Sequence, residues 1–248
     1  MASAELAERL RSLHGTPPLL LANAWDAASA RLVEEVGFPA VATSSAAVAA
    51  VHGAADSDSL DVGVAFGAVA EIAAAVSVPV TADLEAGYGL EPDAFAERLL
   101  AAGAVGCNLE DSDHHGGGVL VAAEAQAERI GAIKEAARSR GVDVVLNARV
   151  DTYLRSVDEP LAETVRRGRL YVEAGADCVY PIVLADLGAI RELVAELGPV
   201  NVLLRPGGPT VAELADAGVA RISVGSGLFK LAQASLRQAA ERLLAGEY

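Results

Sequence analysis

Val78-Pro-Val-Thr-Ala-Asp-Leu-Glu-Ala-Gly-Tyr-Gly89 decides how this chain is read. A short β-branched run passes into a polar, glycine-bearing loop, and the same transition recurs at Ala102-Gly-Ala-Val-Gly-Cys-Asn-Leu-Glu-Asp111. Residues two apart in a strand share a face. Asp83 and Glu85 are therefore expected to project together, with Glu110 joining them from a neighbouring strand end. Carboxylates converging at one rim repel one another unless a cation sits between them, and a hard divalent ion such as Mg²⁺ is the usual answer. The alternative is that acids at strand ends cap helices or face solvent.

The unit around this stretch repeats outward in both directions. Strands are predicted at Leu19–Ala22, Ala40–Ala42, Val78–Ala82, Gly106–Leu109, Val142–Ala148, Cys178–Tyr180, Val200–Leu203 and Arg221–Val224. Each precedes a helix-period segment: Ala27–Val36, Val64–Val76, Pro92–Ala102, Ala122–Arg140, Leu161–Ala174, Leu187–Leu197, Thr210–Ala217 and Leu228–Leu244. Gly103, Gly175 and Gly218 stand where a left-handed cap would end a helix. Eight such βα units in 248 residues predict a single-domain (β/α)₈ TIM barrel spanning residues 1–248. The first strand runs into Asn23-Ala24-Trp25-Asp26, without the glycine-rich phosphate turn of a doubly wound sheet. In a barrel the active site lies at the C-terminal strand ends, where Asp83, Glu85 and Glu110 fall.

Composition narrows the functional class. A formal net charge of −15 with no basic run argues against nucleic acid. No apolar stretch is long enough to suggest a membrane span, and the N-terminus reads as an amphipathic helix and not a leader, so a soluble cytoplasmic protein is expected. Cys107 and Cys178 have no ligand or disulfide spacing. The lysines, Lys134 and Lys230, both lie on predicted helices, which discounts a Schiff-base aldolase.

Further candidates surround the acids. Asn147, Arg149 and Asp151 share a face at the end of the fifth strand, and the guanidinium fork of Arg149 suits a substrate carboxylate or an ion pair with Asp151 or Glu110. Ser44 and Ser45 follow the second strand, where hydroxyls and N–H groups can hold an anionic oxygen. Trp25 either walls the site or packs, and Asp26 either faces it or caps a helix. Asp56 sits in an acidic loop that either reaches a metal through water or is solvated. His114 and His115 precede Gly116-Gly117-Gly118 in what reads as a mobile lid, where either His is an acid/base candidate or simply exposed.

Val78 to Gly89, Gly103 to Asp111 and Asn147-Ala-Arg-Val-Asp151 resemble the isocitrate lyase/phosphoenolpyruvate mutase superfamily, and the likeness runs from Asn23 to Gly225. The resemblance implies a β/α barrel that binds Mg²⁺, with Mn²⁺ as the alternative, and a small 2-oxo or dicarboxylic acid. It implies a homo-oligomer, dimer or tetramer, whose neighbours exchange the last helix. By position, Asp83 would be the principal metal ligand. Glu85 and Glu110 would hold the ion largely through water, with Asp56 as a further acid. Ser44 and Ser45 would bind the 2-oxo acid, Trp25 and Asp26 would wall the pocket, and Arg149 would contact substrate. The lid departs from the family. Ser112-Asp-His-His-Gly-Gly-Gly118 lacks the Cys of the lyases and the Lys of the mutases, and Pro181-Ile182 stands where they carry Glu or His. The expected activity is cleavage of a C–C bond next to a 2-oxo acid, through an enolate. The alternatives are P–C bond chemistry on phosphonopyruvate-type substrates and a non-catalytic 2-oxo-acid-binding protein.

Overall fold

Eight parallel strands, each followed by a helix, wind in chain order around one axis in the computed structural model, which describes residues 2–56, 58–114, 116–117 and 119–247. The strands are Leu19–Ala24, Val41–Thr43, Val80–Asp83, Gly106–Glu110, Val145–Val150, Cys178–Pro181, Asn201–Leu203 and Arg221–Ser223. The eighth returns to the first through Leu19–Arg221, Leu20–Ile222 and Leu21–Ser223. Closure is nearly complete. Between the sixth and seventh strands the seam is a single bridge, Val179 to Val200. There Pro199 contributes a carbonyl to the Val179 N–H, at 3.0 Å, but has no N–H of its own to extend the ladder. The fold is thus TIM-barrel-like.

Every predicted strand and helix is present, with small shifts at the ends. The third strand begins at Val80, past Pro79, and runs to Asp83. Gly103, Gly175 and Gly218 have φ of 78°, 105° and 83°, the left-handed conformation expected of helix-ending glycines. The turn expected at Ser44-Ser45 instead starts a short helix, Ser45–Val51. The lid stretch holds an antiparallel ribbon, Ser112–Asp113 with Val119–Leu120, where a loop was expected.

The first helix, Ser3–Ser12, plugs the barrel floor. Leu10 reaches in so far that a Cβ on Gly106 would sit 2.7 Å from its methyl, so only glycine fits there. Ion pairs lock this plug in place: Arg11 and the fully buried Lys134 both bind Asp177, at 2.9 and 2.8 Å. The last helix, Gly227–Leu244, behaves differently from the others. None of its residues is buried, and Leu231, Leu236, Leu243 and Leu244 face outward. Among the described residues, no helix is long and apolar enough to cross a membrane.

Candidate active site

Inward parity places Asp83, Asn108 and Arg149 around a cavity of about 980 Å³ at the C-terminal strand ends. Asp83 closes the third strand. One of its carboxylate oxygens accepts from the Ser45 N–H and hydroxyl, at 3.2 and 2.9 Å, and the other from the Asn108 side-chain amide at 3.2 Å. Its own N–H donates to the Thr43 hydroxyl. Three donors from two elements thus hold the carboxylate, and Thr43 fixes the backbone that carries it.

Arg149 lies at the end of the fifth strand. Its Nε and Nη2 grip Asp151 side-on, at 2.7 and 3.1 Å, and its Nη1 pairs with Glu110. Burial alone would lower the proton affinity of this guanidinium, but the facing Glu110 and Asp151 carboxylates raise it well above its ordinary value. It remains a cation at every accessible pH. Asp151 is itself fixed by the Ser112 hydroxyl, at 2.6 Å, and its N–H donates to buried Asp111, which also binds Arg167 and Tyr171. Both readings of Arg149 therefore hold together: it is ion-paired, and it lines the cavity.

The three acids expected to converge are divided. Glu85 lies beyond the strand end, at a left-handed φ of 50°, so the two-residue alternation no longer applies. Its carboxylate accepts from the Asp58 N–H and the Tyr88 hydroxyl. Burial, then the charges of Asp56 and Asp58, push it up to about 7. Glu110 turns away from Asp83 because Arg149 and His114 both draw it, and burial pushes its proton affinity up against their pull. With His114 it lines an adjoining cavity of about 510 Å³. The hydrogen bond to Glu110 raises the proton affinity of His114. Asp56 is exposed as a residue, yet its carboxyl lies in the main cavity wall. Withdrawal from water, then the charge of Asp83, push it above the usual carboxylate range. Among the described residues, no three His, Cys, Asp or Glu side chains stand close enough to grip a metal ion together.

The remaining candidates sort by what they touch. Ser44 and Ser45 line the cavity, but the Ser45 donors are already spent on Asp83 and the Ser44 hydroxyl caps its helix. Asn147 is fully buried beneath the cavity and donates to Asn108 at 2.8 Å, so it supports the site without facing it. Trp25 packs edge-on against Phe229, with ring centroids 5.2 Å apart, outside the cavity wall. Asp26 caps the helix Ala27–Val36 by accepting the Ser29 N–H at 2.7 Å. His115 lies outside the described residues. Val183, in the cavity wall after the sixth strand, escaped sequence reading. Its φ of 61° is rare for a β-branched residue and strained by roughly 1–3 kcal/mol, and Arg205 clamps its carbonyl at 2.8 Å.

The model of the phosphoenolpyruvate phosphomutase family matches residues 10–244. The chain belongs to the isocitrate lyase/phosphoenolpyruvate mutase superfamily. An uncharacterised protein of Mycobacterium tuberculosis (strain H37Rv) is 36% identical over 228 residues, covering 90% of this chain and 85% of its own length. The 2-methylisocitrate lyase of Bacillus subtilis (strain 168) is 31% identical over 208 residues, 80% of this chain and 66% of the lyase. A crystal structure from Burkholderia cenocepacia J2315, provisionally named a phosphonomutase, superposes with a TM-score of 0.91 at 39% identity, covering 97% of this chain and 99% of that one. The superfamily thus holds C–C lyases alongside P–C enzymes. In this member Asp83 and the cation Arg149 line one cavity, and Ser112–Asp113 pairs with Val119–Leu120 in an antiparallel ribbon after the fourth strand.

Proposed function

We propose that this protein is a Mg²⁺-dependent lyase that cleaves a C–C bond next to the 2-oxo group of a small acid, through an enolate. One observation carries the reading: a single cavity lined by a carboxylate held by three donors, Asp83, and by a permanently charged arginine, Arg149. The donor set fits a hard ion. It is all oxygen, and burial first, with the charges of neighbouring acids added, raises the proton affinities of Asp56, Glu85 and Glu110, a cost that a divalent cation would offset. Asp83 would hold the ion directly and the other three through its water shell, since Mg²⁺ keeps several waters. When bound, the ion supplies a Lewis acid that polarises the 2-oxo group.

The chain's own residues do the rest. Arg149 offers the N–H groups left over from Asp151 and Glu110 to the substrate carboxylate and to the developing enolate oxygen. Its pairing with two buried acids keeps it oriented before substrate arrives, so little reorganisation is needed. For an oxaloacetate-like acid the C3–C4 bond breaks, its electron pair passes into the enolate, the C4 carboxylate leaves as CO₂, and a proton from water or from His114 Nε2 returns to C3. Ile182, Val183 and Leu154 add apolar surface to the cavity, which leaves room for an alkyl group on the acid. The substrate class of this reading is an oxaloacetate- or methylisocitrate-like acid.

Oligomer formation belongs to the same proposal. The last helix touches its own barrel at its start, through Phe229 on Trp25, but none of its residues is buried, and its exposed leucines suit exchange with a second copy of the chain. The direct test of function is a turnover screen with oxaloacetate, methylisocitrate, dimethylmalate and phosphonopyruvate, each with Mg²⁺ and with EDTA. Cleavage of a C–C substrate that EDTA abolishes is expected. Activity confined to phosphonopyruvate, or indifferent to EDTA, rejects the reading.

A further inference from the structure

Val183 stands where the backbone asks for glycine or asparagine. The Leu184 N–H closes a β-turn onto the Pro181 carbonyl, at 3.4 Å, which makes Val183 the third residue of that turn. Its φ of 61° is left-handed, and Gly or Asn normally fills such a position. Among the described non-glycine residues with positive φ, Val183 is the only β-branched one. Contacts on both sides tie the turn down. The Ile182 N–H donates to the Val150 carbonyl at 3.2 Å, and Arg205 holds the Val183 carbonyl from beyond the seventh strand. Backbone strain persists only where the surroundings impose it, and it gathers at ligand-facing segments.

Packing does not explain the choice of residue. Val183 is half-buried, and among the described residues it is not one of the side chains that pack on the main hydrophobic core. It lines the main cavity instead, together with Ile182 and with Leu154, which is 42% exposed. Strand register fixes where in the cavity this wall lies. Arg149 pairs with Tyr180 and Val150 with Pro181, so the turn leaves the sheet just past the level of Arg149. What valine adds over glycine or asparagine at this turn is a pair of methyl groups and no polar atom. An acid held between Asp83 and Arg149 presents its C3 substituents to the rest of the cavity wall, of which Val183 is part.

We infer that Val183 is a specificity-determining residue: the clamped turn sets its methyl groups in the cavity wall as the seat for a branched alkyl group on C3 of the acid. The inference rests on the proposed 2-oxo-acid chemistry of the cavity and narrows it to acids that are branched at C3.

The test uses the full-length protein with Mg²⁺ and two acids, pyruvate and 3-methyl-2-oxobutanoate. They differ only by methyl groups on C3, and neither has a carboxylate there to lose. Calorimetry should show wild type binding the branched acid about tenfold tighter, the worth of added methyl groups in an apolar wall. Val183→Gly and Val183→Asn both suit a left-handed φ and should fold. Both should lose the preference, with the branched acid weakened about tenfold and pyruvate far less. If one variant does not fold, the other decides. A preference unchanged in the variants, whatever their melting temperatures, would make Val183 a structural residue and overturn the inference. A wild type that binds the two acids equally would overturn it as well, and the 2-oxo-acid reading would still stand. Binding of neither acid would sink that reading itself, and the inference with it.

Discussion

Arg149→Met removes a cation that two buried carboxylates share. The Glu110 and Asp151 side chains are 2% and 0% exposed, so neither can recover its solvation. Breaking one buried pair costs about 3–5 kcal/mol. Each acid keeps one other donor, His114 for Glu110 and the Ser112 hydroxyl for Asp151, which places the loss near the lower end, at about 3 kcal/mol. For a chain of this size that is a fall of roughly 6–12 °C in melting temperature. The loss should depend on pH. Burial already pushes Glu110 above the ordinary carboxylate range, and without the arginine nothing but His114 opposes it. The folded variant therefore binds a proton that the unfolded chain does not, and it gains stability as pH falls through that raised value. The gap to wild type should be full at pH 8 and narrower near pH 5, read by urea unfolding at both. A variant melting within about 2 °C of wild type at pH 8, or a gap that widens on acidification, would refute the view of Arg149 as a buried, doubly paired cation.

Other consequences can be checked on the same protein. Lys134→Met should cost about 3 kcal/mol in urea unfolding, because it strips buried contacts to Asp177, Asp143 and the Val144 carbonyl while Arg11 still compensates Asp177. His14 is held neutral by burial first and the charge of Arg221 second, its proton affinity lowered from 6.5 to about 4. The unfolded chain then binds the extra proton, so the stability His14 contributes is full above about pH 6.5 and lost as pH falls toward 4. Subtracting the His14→Gln stability profile from wild type should show that slope. Leu231→Glu with Leu236→Glu should lower the oligomer mass seen by light scattering and leave the barrel's circular dichroism intact.

Much of this could be read from the chain. Strand alternation put Asn147 and Arg149 on one face, because both lie within a regular strand where the period of two holds. It misjudged Glu85 because the strand stops two residues earlier, and the left-handed backbone that follows is set by loop contacts to Asp58 and Tyr88. The Ser112–Asp113 and Val119–Leu120 ribbon is too short to leave a periodic trace. Trp25 and Asp26 had two readings each from sequence, and only tertiary neighbours, Phe229 and the Ser29 N–H, choose between them.

The central claim concerns Asp83. Its most direct test is turnover of the responsive 2-oxo acid by wild type and Asp83→Ala, side by side with added Mg²⁺ and with EDTA. Loss of at least about 10²-fold in kcat for Asp83→Ala, matched by EDTA on wild type, is predicted. Equal turnover by the two proteins would contradict the account.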